Sequence, residues 1–424
     1  MKVVPRINAK RKEETVHSSS QTRICIYELR RARTDHRMLR SATALVKEGF
    51  DVSVIDIEFD RSLPENEDIL GMHMRHMIVS EWKRSRQFEL WFLFVAIRTF
   101  VLSLYLLLRT PTDIYHAVEI TALPACSIAA WVRRKPLIFE AYELPPPETS
   151  VRFWQRLNSL ILGVLRMILP HCAGVITTTP LYAQEMCKQF DLAEVVVVRN
   201  IPEYCAIQKT DRLRHSLGLT SDTRIALYQG IFQKRRGLDK LVHAAQFLEP
   251  NSVIVLMGSG STTKKELEAL IQQKQLSERV KIIPPVPEYR DVPEWTASAD
   301  IGLLLYPPSH SLSVRFILPN KLFEYIMAGV PVLASQLDAV AEIVDAYGVG
   351  QVIASEAPQD IALEINRMLS NREGLHSMHQ KTLDAVKELC WEKEQEHLIN
   401  LYQHVSKKLK DVYVRRKKSK GTEI

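Results

Sequence analysis

Short runs of aliphatic and β-branched residues recur along the chain, each followed by a stretch whose apolar positions return every three or four residues. "TRICIYEL" (22–29), "DVSVIDI" (51–57), "DIYHAV" (113–118), "PLIFEAYE" (136–143), "GVITTT" (174–179) and "VVVVRN" (195–200) read as strands. Helical spacing falls between them over 35–48, where Gly49 closes the helix, and near 124–133, 152–169 and 181–190; the stretch after 57 reads as a long insertion. Residues 201–219 are polar and charged without a period and predict a linker. A second unit then repeats the alternation with "RIALYQG" (224–230), a helix over 238–247, "SVIVLMGSG" (252–260) and a helix over 262–275. It continues through "VKIIPP" (280–285), a helix over 293–299, "DIGLLLY" (300–306) and "LPNKLFEYIMAGVPVLAS" (318–335). The last helical pattern, 383–409, has no strand after it and could pack on either unit.

Alternating strand and helix is the signature of a parallel, doubly wound sheet. With 424 residues, too many for one ordinary core, the expectation is an α/β chain of two Rossmann-like units facing each other across a cleft. Its divisions are a basic polar tail (1–21), a first unit (22–203), a second unit (204–382), a final helix (383–409) and a basic tail (410–424).

The segment 88–108, "FELWFLFVAIRTFVLSLYLLL", interrupts the first unit and is about 31 Å long as a helix, enough to cross a bilayer. A span would place the strands before and after it on opposite sides of a membrane, so that reading is rejected. Glu89, Arg98, Thr99 and Ser103 fall at scattered angles and leave no polar face. Such a helix is buried in protein or in contact with lipid. Two readings stand well ahead of the spanning one: a core helix of the first unit, or a helix that dips into a membrane interface. Trp91, Phe92 and Phe94, with Arg84, Arg86 and Arg109 beside them, suit the second, and the amphipathic 152–169 with Arg152, Arg156 and Arg166 suits the same face.

Composition adds little to the class and something to the partners. Hydrophobic residues at 46% and charged residues at 25% describe an ordinary globular chain. The net charge of +7 is concentrated in residues 2–12 and 407–420, which read as solvated tails or as a tether to anionic lipid. No aromatic residues interleave with these basic runs in a recognisable module, which argues against nucleic acid as a partner. The six cysteines, Cys25, Cys126, Cys172, Cys187, Cys205 and Cys390, show no metal-ligand spacing and read as free thiols of a reducing compartment. The first twenty residues lack the apolar core of a secretory signal, so residence in the cytoplasm is expected.

The chemistry should lie beyond the carboxyl ends of the strands, where open α/β sheets bind their ligands. After "IALYQG" come Gly230, Lys234, Arg235 and Arg236 at a glycine turn that opens a helix, cations suited to a diphosphate. The loop holding Gly258 and Gly260 is glycine-rich but lacks the Lys-Ser/Thr of a P-loop, which argues against a nucleoside triphosphatase. In "LPNKLFE" the proline fixes the loop, and the free amides of Asn320, Lys321 and Leu322 can point at phosphate oxygens. Glu324 follows in the same helix start, placed either to complement the helix dipole or to hold the vicinal hydroxyls of a ribose.

Five ordered blocks, "DHRMLRSATALVKEGFDVSVI", "DIYHAVEITALPA", "PLIFEAYELPPPE", "YQGIFQKRRGLDKLVHAA" and "LPNKLFEYIMAGVPVLAS", resemble successive blocks of the family 4 glycosyltransferases of GT-B fold, most closely the bacterial polysaccharide and lipopolysaccharide branch. The resemblance is colinear from about residue 23 to 405. It implies a nucleotide-sugar bound mainly on the second unit, an acceptor on the first, and a last helix that crosses back. Transfer with retention and without a metal or other cofactor is the further implication. Glu324 resembles the second glutamate of the family's paired motif, the one that holds the ribose. Arg236 stands at the basic diphosphate position with Lys234 or Arg235 assisting, and Gly258–Gly260 resembles the nucleotide-side glycine loop.

This chain departs from the pattern at Phe316, where the family's first glutamate contacts the donor sugar. It also has "HAVE" (116–119) and "EAYE" (140–143) where the branch often reads His-Ala-His-Asp and Asp-Ser-His-Glu. Glu119, Tyr142 and Glu143 are therefore the expected sugar- or acceptor-side contacts. The activity implied is transfer of a sugar to a lipid-linked or polysaccharide acceptor at the inner face of the membrane. The alternatives are a degenerate, non-catalytic relative that binds a nucleotide or a partner, and a nucleotide-sugar epimerase on the same fold.

Overall fold

The computed structural model describes residues 21–79, 89–146, 152–307 and 311–420. The first half comprises β1 (Arg23–Tyr27), α1 (His36–Lys47), β2 (Asp51–Glu58), β3 (Asn66–Ile69), β4 (Met72–Ile78), α2 (Glu89–Arg109), β5 (Ile114–Val118), α3 (Glu119–Arg133), β6 (Leu137–Ala141), α4 (Arg152–Ile168), β7 (Gly174–Thr177), α5 (Pro180–Phe190) and β8 (Val196–Val197). Its sheet runs β3-β4-β2-β1-β5-β6-β7-β8, parallel except at the β3 edge. Ile24 of β1 lies opposite Val52 on one side and Ile114 on the other, and all three are buried. Strands covered on both faces are why these segments read as unbroken apolar runs.

The second half comprises α6 (Arg212–Leu217), β9 (Arg224–Gln229), α7 (Leu238–Ala244), β10 (Ser252–Met257), α8 (Ser261–Gln273), β11 (Val280–Ile283), α9 (Val292–Thr296), β12 (Ile301–Leu304), α10 (Leu312–Arg315), α11 (Asn320–Met327), β13 (Val332–Ser335), α12 (Asp338–Tyr347), β14 (Gly350–Ile353), α13 (Pro358–Ser370) and α14 (Arg372–Ala385). Its sheet is all parallel, in the order β11-β10-β9-β12-β13-β14. The strand order reverses at β9 and β12, the position at which such sheets open a crevice for ligand.

Three features differ from the reading of the pattern. The insertion after β2 holds β3 and β4, joined at Leu70 and Gly71, both with positive φ. β3 is the polar edge "NEDI", so no apolar alternation marks it. The expected linker contains α6, pinned by Arg214, whose guanidinium is buried and pairs with Asp300 at 2.6 Å. The final helix is not continuous over 383–409: α14 ends at Ala385, and α15 runs from Trp391 to Lys420, taking most of the expected basic tail into the helix. The Trp391 amide donates to the Pro202 carbonyl at 3.0 Å, which fixes the start of α15 on the crossing segment. Leu398, Tyr402 and Val405 then bury themselves in the first half's core beside Met38 and Ala42.

The helix α2 is neither wholly buried nor polar on its outside. Its polar residues Thr99 and Ser103 face inward, where Ser103 Oγ donates to the Thr99 carbonyl and accepts from the Tyr27 hydroxyl. Phe94, Ile97, Val101 and Tyr105 point to solvent at helical spacing. Trp131 of α3 (81% exposed), Val132, and Leu160 and Met167 of α4 are also exposed. Among the described residues no helix is long and apolar enough to cross a membrane. The side chains of Trp91, Phe92, Arg152 and Arg156, together with Arg84, Arg86 and residues 2–12, lie outside the described residues.

Candidate functional site

At the carboxyl end of β9, Tyr228, Gln229 and Gly230 lead into a loop that packs against the loop leaving β10. A Cβ on Gly258 would sit 1.8 Å from the Gly230 carbonyl oxygen, so only glycine permits this crossing. Gly260, at φ +143°, lies similarly close to the Phe232 carbonyl and opens α8. The backbone of these two turns forms the floor of the site.

Glu324 projects from α11 toward that floor and is held by a chain of hydrogen bonds. Thr296 Oγ1 donates to Gln229 Oε1 at 2.7 Å, and Gln229 Nε2 donates to Glu324 Oε2 at 2.5 Å. The Tyr289 hydroxyl donates to Glu324 Oε1 at 3.2 Å. Beneath them Tyr325 Oη accepts from the Gln229 amide and donates to the Leu227 carbonyl, locking α11 to β9. The carboxylate is thus tied to β9 and, through Gln229, to α9, while the turn Tyr289–Asp291 covers its other oxygen.

Beside it lies a cationic pair that the sequence showed only in part. Arg236 is half-buried, its guanidinium 4.5 Å from the centre of the Tyr306 ring. Lys321 was expected to contribute its amide; the structure buries its side chain as well, with Nζ 3.6 Å from the Tyr228 ring centre and next to Gly230. That Nζ and the Tyr306 hydroxyl have no hydrogen-bond partner among the described residues. Burial first, then the charge of Arg236, holds the Lys321 amine well below its ordinary value, against the pull of Glu324. Two cations and a phenol with unused donors converge where the α11 amides begin, a receptor for an anion.

Other expected contributors are placed elsewhere. Lys234 is exposed and pairs with Glu266 of α8 at 2.7 Å, and Arg235 is exposed. The Leu322 amide is not free, because it donates to the Pro319 carbonyl at 3.0 Å in the tight first turn. Asn320 uses its side chain to meet Asn200 across the two halves at 2.8 Å. Phe316 packs against the apolar core of the first half.

On the first half, Glu119 opens α3 in the left-handed region (φ +67°), and its Oε1 accepts from the Tyr142 amide at 2.8 Å. A non-glycine residue in that region is strained and persists where the surroundings over-determine it. The Tyr142 hydroxyl is buried without a hydrogen-bond partner among the described residues, and the guanidiniums of Arg37 and Arg30 lie 5.0 and 5.7 Å from its ring centre. Glu143 is exposed and within electrostatic reach of Arg236 across the cleft. Sequence reasoning passed over Glu28, a carboxyl buried at the end of β1 with neither oxygen hydrogen-bonded among the described residues; burial and then Asp35 and Asp56 raise it well above the usual range.

It also passed over Glu140. Arg37 holds Glu140 Oε1 through Nε at 3.0 Å, and His116 approaches Oε2 at 3.1 Å. The Tyr402 hydroxyl of α15 meets His116 Nδ1 at 2.7 Å. Burial alone would raise the Glu140 carboxyl, yet Arg37 and His116 bring it down to about 2.

With this geometry in view, two family models match the chain: Glycosyltransferase Family 4 over residues 36–201 and Glycosyl transferases group 1 over residues 209–385. The chain belongs to the group 1, family 4 glycosyltransferases. It is 27% identical over 199 residues to a D-inositol 3-phosphate glycosyltransferase of Xylanimonas cellulosilytica, a stretch covering 46% of each protein. The match thus spans less than half the length of that relative. An uncharacterised glycosyltransferase of Methanocaldococcus jannaschii is 22% identical over 85% of this chain and 91% of its own. The fold is GT-B, shared with sucrose-phosphate synthase from Thermosynechococcus elongatus (TM-score 0.73, 17% identity, 91% of this chain and 99% of that one). It is shared too with Anabaena HepE, solved with UDP and glucose (TM-score 0.65, 16% identity, 92% and 100%). WaaG, a glycosyltransferase involved in lipopolysaccharide biosynthesis, has a TM-score of 0.62 at 14% identity over 88% of this chain and 97% of its own.

Proposed function

We propose that this family member is an active glycosyltransferase moving a sugar from a nucleotide-sugar to a lipid-linked or glycan acceptor. The observation that carries the reading is the convergence of a fixed carboxylate, Glu324, with two cations, Arg236 and the unpartnered Lys321, at the start of α11. In this reading Glu324 accepts from the ribose hydroxyls, while Arg236, Lys321 and the α11 amides stabilise the departing diphosphate. Preorganised donors aimed at developing charge commonly supply the largest share of catalysis. The leaving phosphate would take the acceptor proton on the same face, giving retention without a metal. The UDP named with HepE makes uridine the first base to test.

The acceptor would meet the first half near Glu119, Tyr142 and Glu143. The exposed apolar side chains of α2, α3 and α4, with Arg98, Arg109 and Arg166 among them, favour docking of this half on an anionic membrane surface at the cytoplasmic face. Phe316, standing where a sugar-contacting carboxylate is usual, supports one second reading, a nucleotide-binding relative without transfer.

The experiment is UDP-sugar hydrolysis and transfer with purified protein, compared with Glu324→Ala and Arg236→Ala. Turnover lost in both variants supports the first reading; tight nucleotide binding with no turnover in the wild type selects the second. Vesicle flotation tests the surface: the wild type should float with anionic lipid, and a Phe94→Ser, Val101→Ser, Trp131→Ser variant should stay in the soluble fraction while remaining folded.

A further inference from the structure

The carboxylate assigned to the ribose is already occupied. The Tyr289 hydroxyl donates to Glu324 Oε1 and Gln229 Nε2 donates to Oε2, so each oxygen already carries a protein donor where a diol would approach. Tyr289 belongs to the second half, in the three-residue 3-10 turn Tyr289–Asp291 before α9. Its ring is stacked on His36 of the first half, with centroids 4.2 Å apart and planes at 17°. His36 is the first residue of α1, and Arg40, one turn later on the same face, also lies against Tyr289 and within electrostatic reach of Glu324. Arg40 is itself anchored, hydrogen-bonded to Asn200 and with its guanidinium 5.7 Å from the centre of the Trp391 ring. Asn200 in turn reaches Asn320 at the start of α11.

We propose that Tyr289 is a nucleoside gate: its hydroxyl stands in the place of a ribose hydroxyl on Glu324, and His36 holds it there across the cleft. This rests on the reading of Glu324 as the ribose receptor. The carboxylate has four acceptor positions at most, and the Gln229 bond is part of the floor network that ties Glu324 to Thr296. The Tyr289 bond is different in kind. It comes from an exposed side chain on a short turn, so it is the bond a ribose diol displaces. Displacement breaks the His36 stack, which links nucleotide binding to the contact between the halves. A ligand that must displace a protein group binds less tightly by the fraction of molecules in the competent state. Tyr289 and His36 therefore set donor affinity without being needed for the chemistry.

The test is calorimetric titration of UDP and, in parallel, GDP into the full chain and its variants. Tyr289→Phe keeps the ring and removes the competing hydroxyl; His36→Ala removes the stack and leaves Glu324 untouched. Both are expected to lower Kd several-fold, and the double variant should gain no more than the better single one, because both act on one contact. Unchanged or weaker binding in Tyr289→Phe overturns the gate and makes Tyr289 a support for Glu324 or for the base. Absence of nucleotide binding in the wild type and in every variant is a failure of the function reading, and a second measurement then still tests the contact. Hydrogen exchange of amides 288–292 in ligand-free protein should quicken in His36→Ala; unchanged exchange there overturns the pinning of the turn by His36.

Discussion

Replacing Lys321 with methionine should move stability and nucleotide affinity in opposite directions. The Nζ is buried against the rings of Tyr228 and Tyr306 and has no hydrogen-bond partner among the described residues. A buried donor left unsatisfied costs about 1–3 kcal/mol. Methionine has nearly the same length and no donor, and its thioether packs well on aromatic rings. The ligand-free protein should therefore gain about 2 kcal/mol, which for a domain of this size raises Tm by roughly 4–8 °C. The same change removes a charged donor from the diphosphate, a hydrogen bond worth about 1.5–3 kcal/mol, so UDP affinity should fall about 10- to 100-fold. Scanning calorimetry without ligand measures the first effect and titration calorimetry with UDP the second. A lower Tm with unchanged UDP affinity would refute the reasoning, because Lys321 would then be a packing residue.

Three further outcomes follow from the same buried groups. Because burial holds the Lys321 amine below its ordinary 10.5, the unfolded chain binds the extra proton between those values and stability should climb with pH there, a dependence on pH that Lys321→Met should remove from the denaturant-unfolding curve. Arg37→Ala would strand Glu140 as an uncompensated buried charge and should lose about 3–5 kcal/mol in denaturant unfolding, whereas a loss below about 1 kcal/mol would mean the pair is dispensable. Glu140 is lowered from 4.5 to about 2, so its stabilisation is complete above the unfolded value and disappears as pH falls through the folded one; Glu140→Gln should flatten the acid decline of Tm over that window.

The architecture was legible because strands covered on both faces must be apolar throughout, and eleven strands announced themselves as apolar runs. β3 did not, since an edge strand with alternating exposure can be as polar as "NEDI". Arg236 was legible because it follows the end of β9 at a glycine turn, and Glu324 because it follows Pro319 at the start of α11. Lys234 was misjudged for want of Glu266, 32 positions later, whose ion pair draws it onto α8. Lys321 was placed by its amide alone, because burial of a lysine depends on the two tyrosines from β9 and the end of β12 that surround it. The tie of Tyr402 to His116 joins residues 286 positions apart, and no local pattern encodes it.

The unpartnered groups themselves distinguish the two sides of the cleft. Buried polar atoms are nearly always hydrogen-bonded, so those left over call for an explanation. Among the described residues, those beside Glu324 on the second half include an amine and a phenol, Lys321 and Tyr306, next to the guanidinium of Arg236. All three donate, which suits an anion. On the first half they include the Glu28 carboxyl and the Tyr142 hydroxyl. Burial keeps Glu28 raised and therefore inclined to the neutral form, in which it both donates and accepts. A neutral acid beside a phenol suits uncharged hydroxyls better than phosphate. The fold thus leaves donors unsatisfied where a diphosphate would lie and mixed donor-acceptor groups where a sugar hydroxyl would lie. Each group is a local cost that removal should relieve, and stability lost in exchange for an unfilled site is the ordinary mark of function. If Lys321→Met and Tyr306→Phe both stabilise the ligand-free chain while Glu28→Gln does not weaken it, the unpartnered groups are there for ligands.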